Sequence, residues 1–348
     1  DIDEAFDSIQ YALEVARRPD VHIWFNRFPP PYLEGHEHLI QDPYKLNDEV
    51  RGRYEEYERW LEHGQPLSCR EPERCKRCYL EQLCQTLEDT LEAVRNDGFE
   101  AVRFHLEGED RPLRLPRLPG SYERIWLTGP DLPAVERALP RLPAGPLILE
   151  LADYEGLDSN TVGDRPVLRA LAATPEAIDR LLRIDADFEV VAILTRDTAA
   201  HLLEAYPTPP ARLRLAGRNY ERLTEAKARD ADLHAFFAAY DPSVPVENVP
   251  ACISGRPPSP AMRVLDAEML NEGGRLDIYG YARRYILDHY YTKRRACRDC
   301  VHDATCRGAH INWIRAHGYA TLQPIRAEDA AATDAAPGAS AVSGAAPA

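Results

Sequence analysis

The 348-residue sequence predicts an α/β fold, a partial (β/α) barrel or open parallel sheet flanked by two small four-cysteine modules. Three observations carry this expectation. Between about residues 99 and 243, short apolar runs alternate with amphipathic stretches, the pattern of βα units on a mostly parallel sheet. The eight cysteines fall into two groups of four, Cys69, Cys75, Cys78 and Cys84, then Cys252, Cys297, Cys300 and Cys306, with none in the long stretch between. The surroundings of the second group also copy those of the first in order and spacing.

Taken in order, residues 1–20 place Ile2, Ala5, Phe6, Ile9, Leu13 and Ala16 on one helical face, and Pro19 stops that helix. A first module, 21–98, begins with a strand at 21–25 that ends in Pro29, Pro30 and Pro31. A Tyr/Glu/Arg-rich helix over 47–63 then leads to the first thiol group, and a further helix over 87–95 closes at Gly98. The βα domain, 99–243, offers strands at 101–106, 125–127, 147–151, 188–194 and 212–215, with a sixth at 244–249 opening the second module, 244–326. Its helices are expected at 132–142, 167–183, 198–205 and 232–240. Six strands are too few for a closed eight-stranded barrel. Residues 327–348, mostly Ala, Gly, Ser and Pro, read as a disordered tail.

Charge narrows the function. Lys+Arg 42 against Asp+Glu 57 leaves a net charge of −15, which argues against nucleic acid or an anionic membrane as partner. No apolar run approaches the roughly 18 residues a spanning helix needs, so no membrane partner is expected. There is no signal-peptide pattern, so the expected compartment is the cytoplasm, whose reduced thiols disfavour a disulfide framework and favour metal or cluster ligation. Four Lys against 38 Arg suits a high-GC bacterial gene. No phosphate-cradling glycine loop, nucleophile elbow or zinc-protease helix motif occurs, and the sequence names no catalytic residue.

The repeat concerns ligands. Residues 21–35 parallel 244–255, each an expected strand that runs into proline and then glycine. Pro31 to Cys75 spans 44 positions and Cys252 to Cys297 spans 45, after which each copy has C-x2-C-x5-C, a helix, and Gly98-Phe99 or Gly318-Tyr319. Cys252 stands near the strand end where the first copy has Pro31 and Tyr32, while the first copy has Cys69 six positions before its C-x2-C. Each copy keeps four thiols, as a four-thiolate site requires. Such a set suits tetrahedral zinc or a cubane iron–sulfur cluster; one tight pair joined by distant singletons is the commoner pattern in cluster sites. His22, His36, His38 and Glu37 complete no ligand set and read as solvated residues. Arg70, Arg74, Lys76 and Arg77 beside the first group, and Arg294, Arg295 and Arg298 beside the second, would offset the charge of a thiolate-bound cluster or be ordinary solvated charge.

The segment Cys252-Ile-Ser-Gly, with Cys297-Arg-Asp-Cys-Val-His-Asp-Ala-Thr-Cys306-Arg-Gly308 and the closing Gly318-Tyr-Ala-Thr-Leu-Gln-Pro-Ile325, resembles the auxiliary-cluster region of radical S-adenosylmethionine enzymes of the SPASM/twitch type. The resemblance implies a [4Fe-4S] cluster on each thiol group. The SPASM pattern has a further Cys four positions on, where this chain has His310 and, in the first copy, Glu88; the smaller twitch-like form fits better, and His310 stands as a lesser candidate ligand. The C-x3-C-x2-C motif that holds the S-adenosylmethionine-cleaving cluster occurs nowhere. The chain is therefore expected to be the C-terminal part of a longer radical enzyme, starting at Asp1 with the last helix and strand of an upstream barrel. S-adenosylmethionine is expected only if that barrel exists. The partners so implied are the upstream domain or a separate radical enzyme, and an electron donor; the clusters would relay electrons or anchor a peptide or small-molecule substrate. A zinc-stabilised interaction scaffold and a catalytically inactive partner of a separate radical enzyme are the alternatives.

Overall fold

The computed structural model describes residues 2–23, 25, 27–106, 113, 115–257 and 259–328. The expected tail lies outside the described residues from 329 onward, as does Trp24 within the strand expected at 21–25. The described residues beside Trp24 are irregular backbone, a correction to that expectation. Phe25 packs on Phe28 at 5.1 Å, and Arg27 takes a left-handed φ of 61°, so local aromatic packing rather than a ladder absorbs this apolar run. Ahead of it, Ile2–Leu13 is helical, as its periodicity predicts.

Eleven strands follow in the described chain: β1 Ala101–His105, β2 Arg124–Gly129, β3 Leu147–Leu151, β4 Thr161–Val162, β5 Arg165–Ala172, β6 Glu189–Leu194, β7 Leu213–Gly217, β8 Val246–Glu247, β9 Val264–Asp266, β10 Tyr291–Thr292 and β11 Ala309–His310. Eight are parallel neighbours in the order β8-β7-β6-β5-β3-β2-β1-β9, β4 pairs antiparallel with β5, and β10 pairs with β11 apart from the main sheet. The parallel sheet curls into a half-barrel. It reaches eight parallel strands against the six expected, yet β8 and β9 stand at opposite ends of the path and the sheet does not close.

Two differences have physical causes. Residues 165–172 form β5 rather than the start of a helix, and the helix is confined to Pro175–Arg183. Thr174 accepts the Ala177 amide and Pro175 fills the first turn, a helix-start signal in the middle of the segment read as one helix. Strand β9 is only three residues long and follows a proline-rich stretch, so its period was too short to see. The other crossover helices, Leu132–Ala138, Arg196–Ala205 and Leu233–Ala239, start on the side-chain caps of Asp131, Thr195 and Asp232.

Alternation along the strands decides what each face does. Val102, Phe104, Ile125, Leu127, Leu147, Leu149, Val190, Ala192, Leu213 and Leu215 are buried on the outer face and belong to one continuous core with the helices and both thiol modules. The inward positions differ in kind. Arg103, His105, Trp126, Thr128, Glu150 and Arg169 point into the half-barrel beside a small separate apolar floor of Ile148, Leu171, Val191, Ile193 and Ala216. A closed barrel fills that space with branched apolar side chains; here it is a cavity.

The edge strand β9 is tied to β1 through charge. Asp266, wholly buried, accepts from Arg103 Nε at 2.6 Å and His105 Nε2 at 2.8 Å and lies 3.2 Å from Arg284 Nε. Asp288 binds the same two guanidiniums, with Arg284 Nη2 at 2.6 Å. Burial alone would raise the Asp266 carboxyl, but the His105 hydrogen bond and the two guanidiniums outweigh it and hold the group well below the usual carboxylate range. A carboxyl depressed in this way stabilises the fold above the ordinary aspartate value of about 3.9 and loses that contribution as pH falls below it. Asp266→Asn leaves Arg103 and Arg284 sharing the half-buried carboxylate of Asp288 and is expected to cost about 3–5 kcal/mol in denaturant unfolding, flattening the acid limb of the stability curve below about pH 4. On the outer face, Leu149→Ala, at a side chain with no exposure, is expected to cost about 2–5 kcal/mol in the same measurement.

Candidate metal centres and the half-barrel cavity

Each C-x2-C forms the same tight turn, with Cys78 N donating to Cys75 O at 2.8 Å and Cys300 N to Cys297 O at 3.0 Å. The elements around the two turns agree in order only in part. Helices Leu46–Gly52 and Tyr54–His63 precede the first group and Glu81–Arg95 follows; Ile278–Arg284 precedes the second and Ile311–His317 follows. The second copy adds β10 and β11, and it alone starts from a strand, β8.

In the second group, Cys252 stands on the short helix Ala251–Ser254 just after β8. Cys252, Cys297, Cys300 and Cys306 together line one small cleft, closed largely by Pro250, Ala251, Leu322 and Pro324. The fold thus brings a thiol from one end of the sheet to a turn some fifty residues later. Burial pushes the Cys252 thiol up to about 11, with the other three thiols adding to the rise, so as a free side chain it is protonated at neutral pH. Gly308 N donates to Cys306 Sγ at 3.3 Å. Gly308 has φ 82°, and a Cβ there would stand 2.1 Å from the Thr292 carbonyl oxygen, so this amide reaches the sulfur because the residue is glycine.

In the first group, Cys84 is buried on Glu81–Arg95, and burial pushes its thiol up to about 11 while Cys78 and Cys69 add to the rise. Arg53 Nη1 donates to Cys69 Sγ at 3.0 Å, and the Tyr57 hydroxyl lies 3.8 Å from Cys84 Sγ. Cys75, half-buried, ends the helical turn Pro72–Cys75. Glu88 is ion-paired with Arg70, whose guanidinium also covers Trp60. Among the described residues no three thiols lie within 4.8 Å of one another.

His310 is 3% exposed; its Nε2 donates to the Ile286 carbonyl at 2.9 Å and its Nδ1 faces the Asn312 amide at 3.4 Å. Glu37 accepts the amides of Gly35 and Tyr319, and Arg294 pairs with Glu34 at 2.5 Å, so the His/Glu stretch of the first module staples it to the second. Among the described residues, the group with metal-ligand atoms closest together is His105, Asp266 and Glu268. Two guanidiniums already occupy Asp266, which disfavours a cation there.

The half-barrel holds a cavity of about 590 Å³ that reaches the loops at the carboxyl ends of the strands, where open α/β sheets hold their ligands. Its walls join three zones. Arg103, His105, Arg284 and Asp288 form the charged side near β1. The apolar floor lies under β3, β5, β6 and β7. Asn219, Asn248, Tyr291 and Arg307 form the side nearest the second thiol group: the Tyr291 hydroxyl binds both asparagines and the Arg307 guanidinium covers its ring at 4.2 Å. Cys306 and Gly308 line both this cavity and the four-thiol cleft. The π-helical turn Tyr285–His289 turns Leu287, Asp288 and His289 into the cavity together, a distortion frequent at functional sites.

No family model, curated protein or solved structure matches this chain. The fold and its sites therefore stand on their own geometry. No described helix is long and apolar enough to cross a membrane.

The cavity residues were missed in the sequence, although a signal was present. A parallel strand buried on both faces reads as a continuous apolar run. The Arg103 and His105 positions break that run at alternate residues, which marks one face as polar.

Burial pushes the His310 imidazole down to about 4. A histidine depressed in this way opposes the folded state as pH falls from about 6.5, its unfolded value, toward about 4, because only the unfolded chain takes up the proton readily. His310→Gln keeps a donor for the Ile286 carbonyl and is expected to remove part of the stability loss between pH 6.5 and 4, read from denaturant midpoints across that range.

Proposed function

We propose that this chain is an iron–sulfur protein with a [4Fe-4S] cluster on each thiol group, part of or partner to a radical S-adenosylmethionine enzyme, and that its substrate lies in the half-barrel cavity beside the second centre. The observation that carries this reading is the shared wall: four thiols from two distant stretches line one cleft, and one of them, Cys306, also lines the main cavity.

The donor set fits such a cluster. Four soft thiolates suit iron–sulfur or zinc. A tetrahedral zinc holds four sulfurs about 3.8 Å apart, given Zn–S bonds of about 2.3 Å, whereas a cubane's ligands stand wider at its corners. The spacing in sequence, one tight pair joined by distant singletons in each group, supports the cubane. When bound, the clusters supply one-electron transfer or an iron that a substrate atom can ligate.

The chain's own residues supply the rest. The eight cysteines give up their protons on ligation, so loading releases acid. The Gly308 amide, the Arg53 guanidinium and the Tyr57 hydroxyl are placed to offset negative charge on Cys306, Cys69 and Cys84. The apolar floor keeps water from one face of a substrate, and Arg307 and Asn248 offer polar contacts at the end nearest Cys306. Lacking C-x3-C-x2-C, the chain leaves cleavage of S-adenosylmethionine to an upstream domain or a separate enzyme.

Anaerobic purification with iron, sulfide and zinc analysis tests the reading. The expected result is a brown protein with about eight irons and eight sulfides, two cubanes on four thiolates each. Cys306→Ser is expected to alter or remove one cluster, read as a fall toward about four irons and a changed electron paramagnetic resonance signal, with the other cluster intact. A colourless protein with two zincs would overturn the proposal. In Gly308→Ala, where the added Cβ meets Thr292 O, the second cluster is expected to be lost or labile while the first persists.

A further inference from the structure

The carboxyl ends of β1, β2 and β3 present three polar side chains side by side. His105, Thr128 and Glu150 are in direct register across the three strands, all facing the cavity. Thr128 Oγ1 lies 2.7 Å from His105 Nδ1, and His105 Nε2 lies 2.8 Å from the buried Asp266 carboxylate. The carboxylate can only accept, so Nε2 carries the proton and Nδ1 accepts from the threonine hydroxyl. The Phe104 carbonyl, 3.5 Å from Thr128 Oγ1, is too far to hold that proton away from the imidazole. Arg103 and Arg284 fix Asp266 from the other side, which fixes the ring in turn.

A second observation points to a ligand. The indole N–H of Trp126, two residues before Thr128 on the same face of β2, is buried without a hydrogen-bond partner among the described residues, and Trp126 lines the cavity. A buried donor left unpaired is costly unless something else accepts from it. A substrate oxygen at the indole edge, in the plane of the ring, would do so.

We propose that Thr128, His105 and Asp266 form a nucleophile, base and orienting carboxylate for acyl transfer, acting on an ester, thioester or activated amide whose oxygen accepts from Trp126. The order of roles is that of the familiar hydrolase triads, with the two ring nitrogens exchanged. In the first step Thr128 Oγ1 bonds to the acyl carbon as its proton passes to His105 Nδ1. The bond to the leaving group then breaks and that group takes the proton from Nδ1. Water repeats the sequence on the acyl-threonine: it forms the new carbon–oxygen bond, gives its proton to Nδ1, and the threonine oxygen leaves and recovers a proton from there. No oxidant or metal enters, so the site is independent of the iron–sulfur reading.

A fluorophosphonate probe tests it, because such probes seal histidine-activated hydroxyls with loss of fluoride and leave thiols without a stable adduct. The expected result on the purified full chain is one phosphonate, located on Thr128 by peptide mass analysis, with slow release of nitrophenol from 4-nitrophenyl acetate. Thr128→Val and His105→Gln should abolish labelling and lower the acetate rate at least tenfold, Thr128→Val with unchanged melting temperature, and Thr128→Ser should restore labelling and rate. Absence of label on the folded wild-type chain, label at another residue, or wild-type rates in the two disabling variants would overturn the proposal. Iron content is read on the same samples, so loss of clusters and loss of the acyl site are told apart.

Discussion

A carboxylate with no access to water sets the form of this molecule. Asp266 sits at the end of β9, a three-residue strand that β1 alone holds in the sheet, and a ladder so short gives it little hold. The Asp266 contacts to Arg103, His105 and Arg284 join β9, β1 and the helix Ile278–Arg284 at one point. Desolvating an aspartate is worthwhile only where several donors surround it, and once they do, removing any member leaves a buried charge uncompensated. The node therefore fixes where the sheet ends. With β9 held on the β1 side, the opposite edge at β8 stays open and the interior remains a cavity.

The open interior gives the two faces of each strand separate jobs. The outer face carries the aliphatic core that the crossover helices cover, and its loss would be felt as unfolding. The inner face carries arginine, histidine, threonine and glutamate at positions that a closed barrel would fill with branched apolar residues. Arg103 and His105 hold the Asp266 node, whereas Thr128 and Glu150 leave polar groups facing the cavity. On the proposed reading its two ends differ in chemistry, one a relay of Thr128, His105 and Asp266 and the other a wall shared with four thiols.

Much of this was legible in the sequence. The alternation over residues 99–243 announced a parallel α/β sheet that fails to close, because aliphatic runs and capped helices have distinct periods. The C-x2-C spacing marked a local turn in each group, and in the second the fold brings Cys252 and Cys306 to the same cleft as Cys297 and Cys300. What escaped depended on distance or on brevity. β5 merged with its helix because residues 167–171 suit either state, and only Thr174-Pro175 divides them. The strand expected at 21–25 had the right composition, but its described residues pair with no neighbouring strand. Asp266 meets Arg103 across more than 160 positions, a pairing no local pattern contains. His105 and Thr128 look unremarkable until β1 and β2 are in register.

The two thiol groups are alike in count and in the turn of C-x2-C, yet they sit differently. The second adjoins the cavity through Cys306, while the first packs beneath Tyr57 and Trp60, away from the cavity lining. A repeat that kept four thiols in both copies but only one at the cavity wall suggests a division between a centre that meets substrate and one that holds the fold or passes electrons. Diffraction from anaerobically grown crystals at the iron edge tests this account most directly. It predicts two iron positions, one enclosed by Cys252, Cys297, Cys300 and Cys306 at the cavity wall and one by Cys69, Cys75, Cys78 and Cys84. Anomalous signal at the zinc edge in either place, with none at the iron edge, would contradict it.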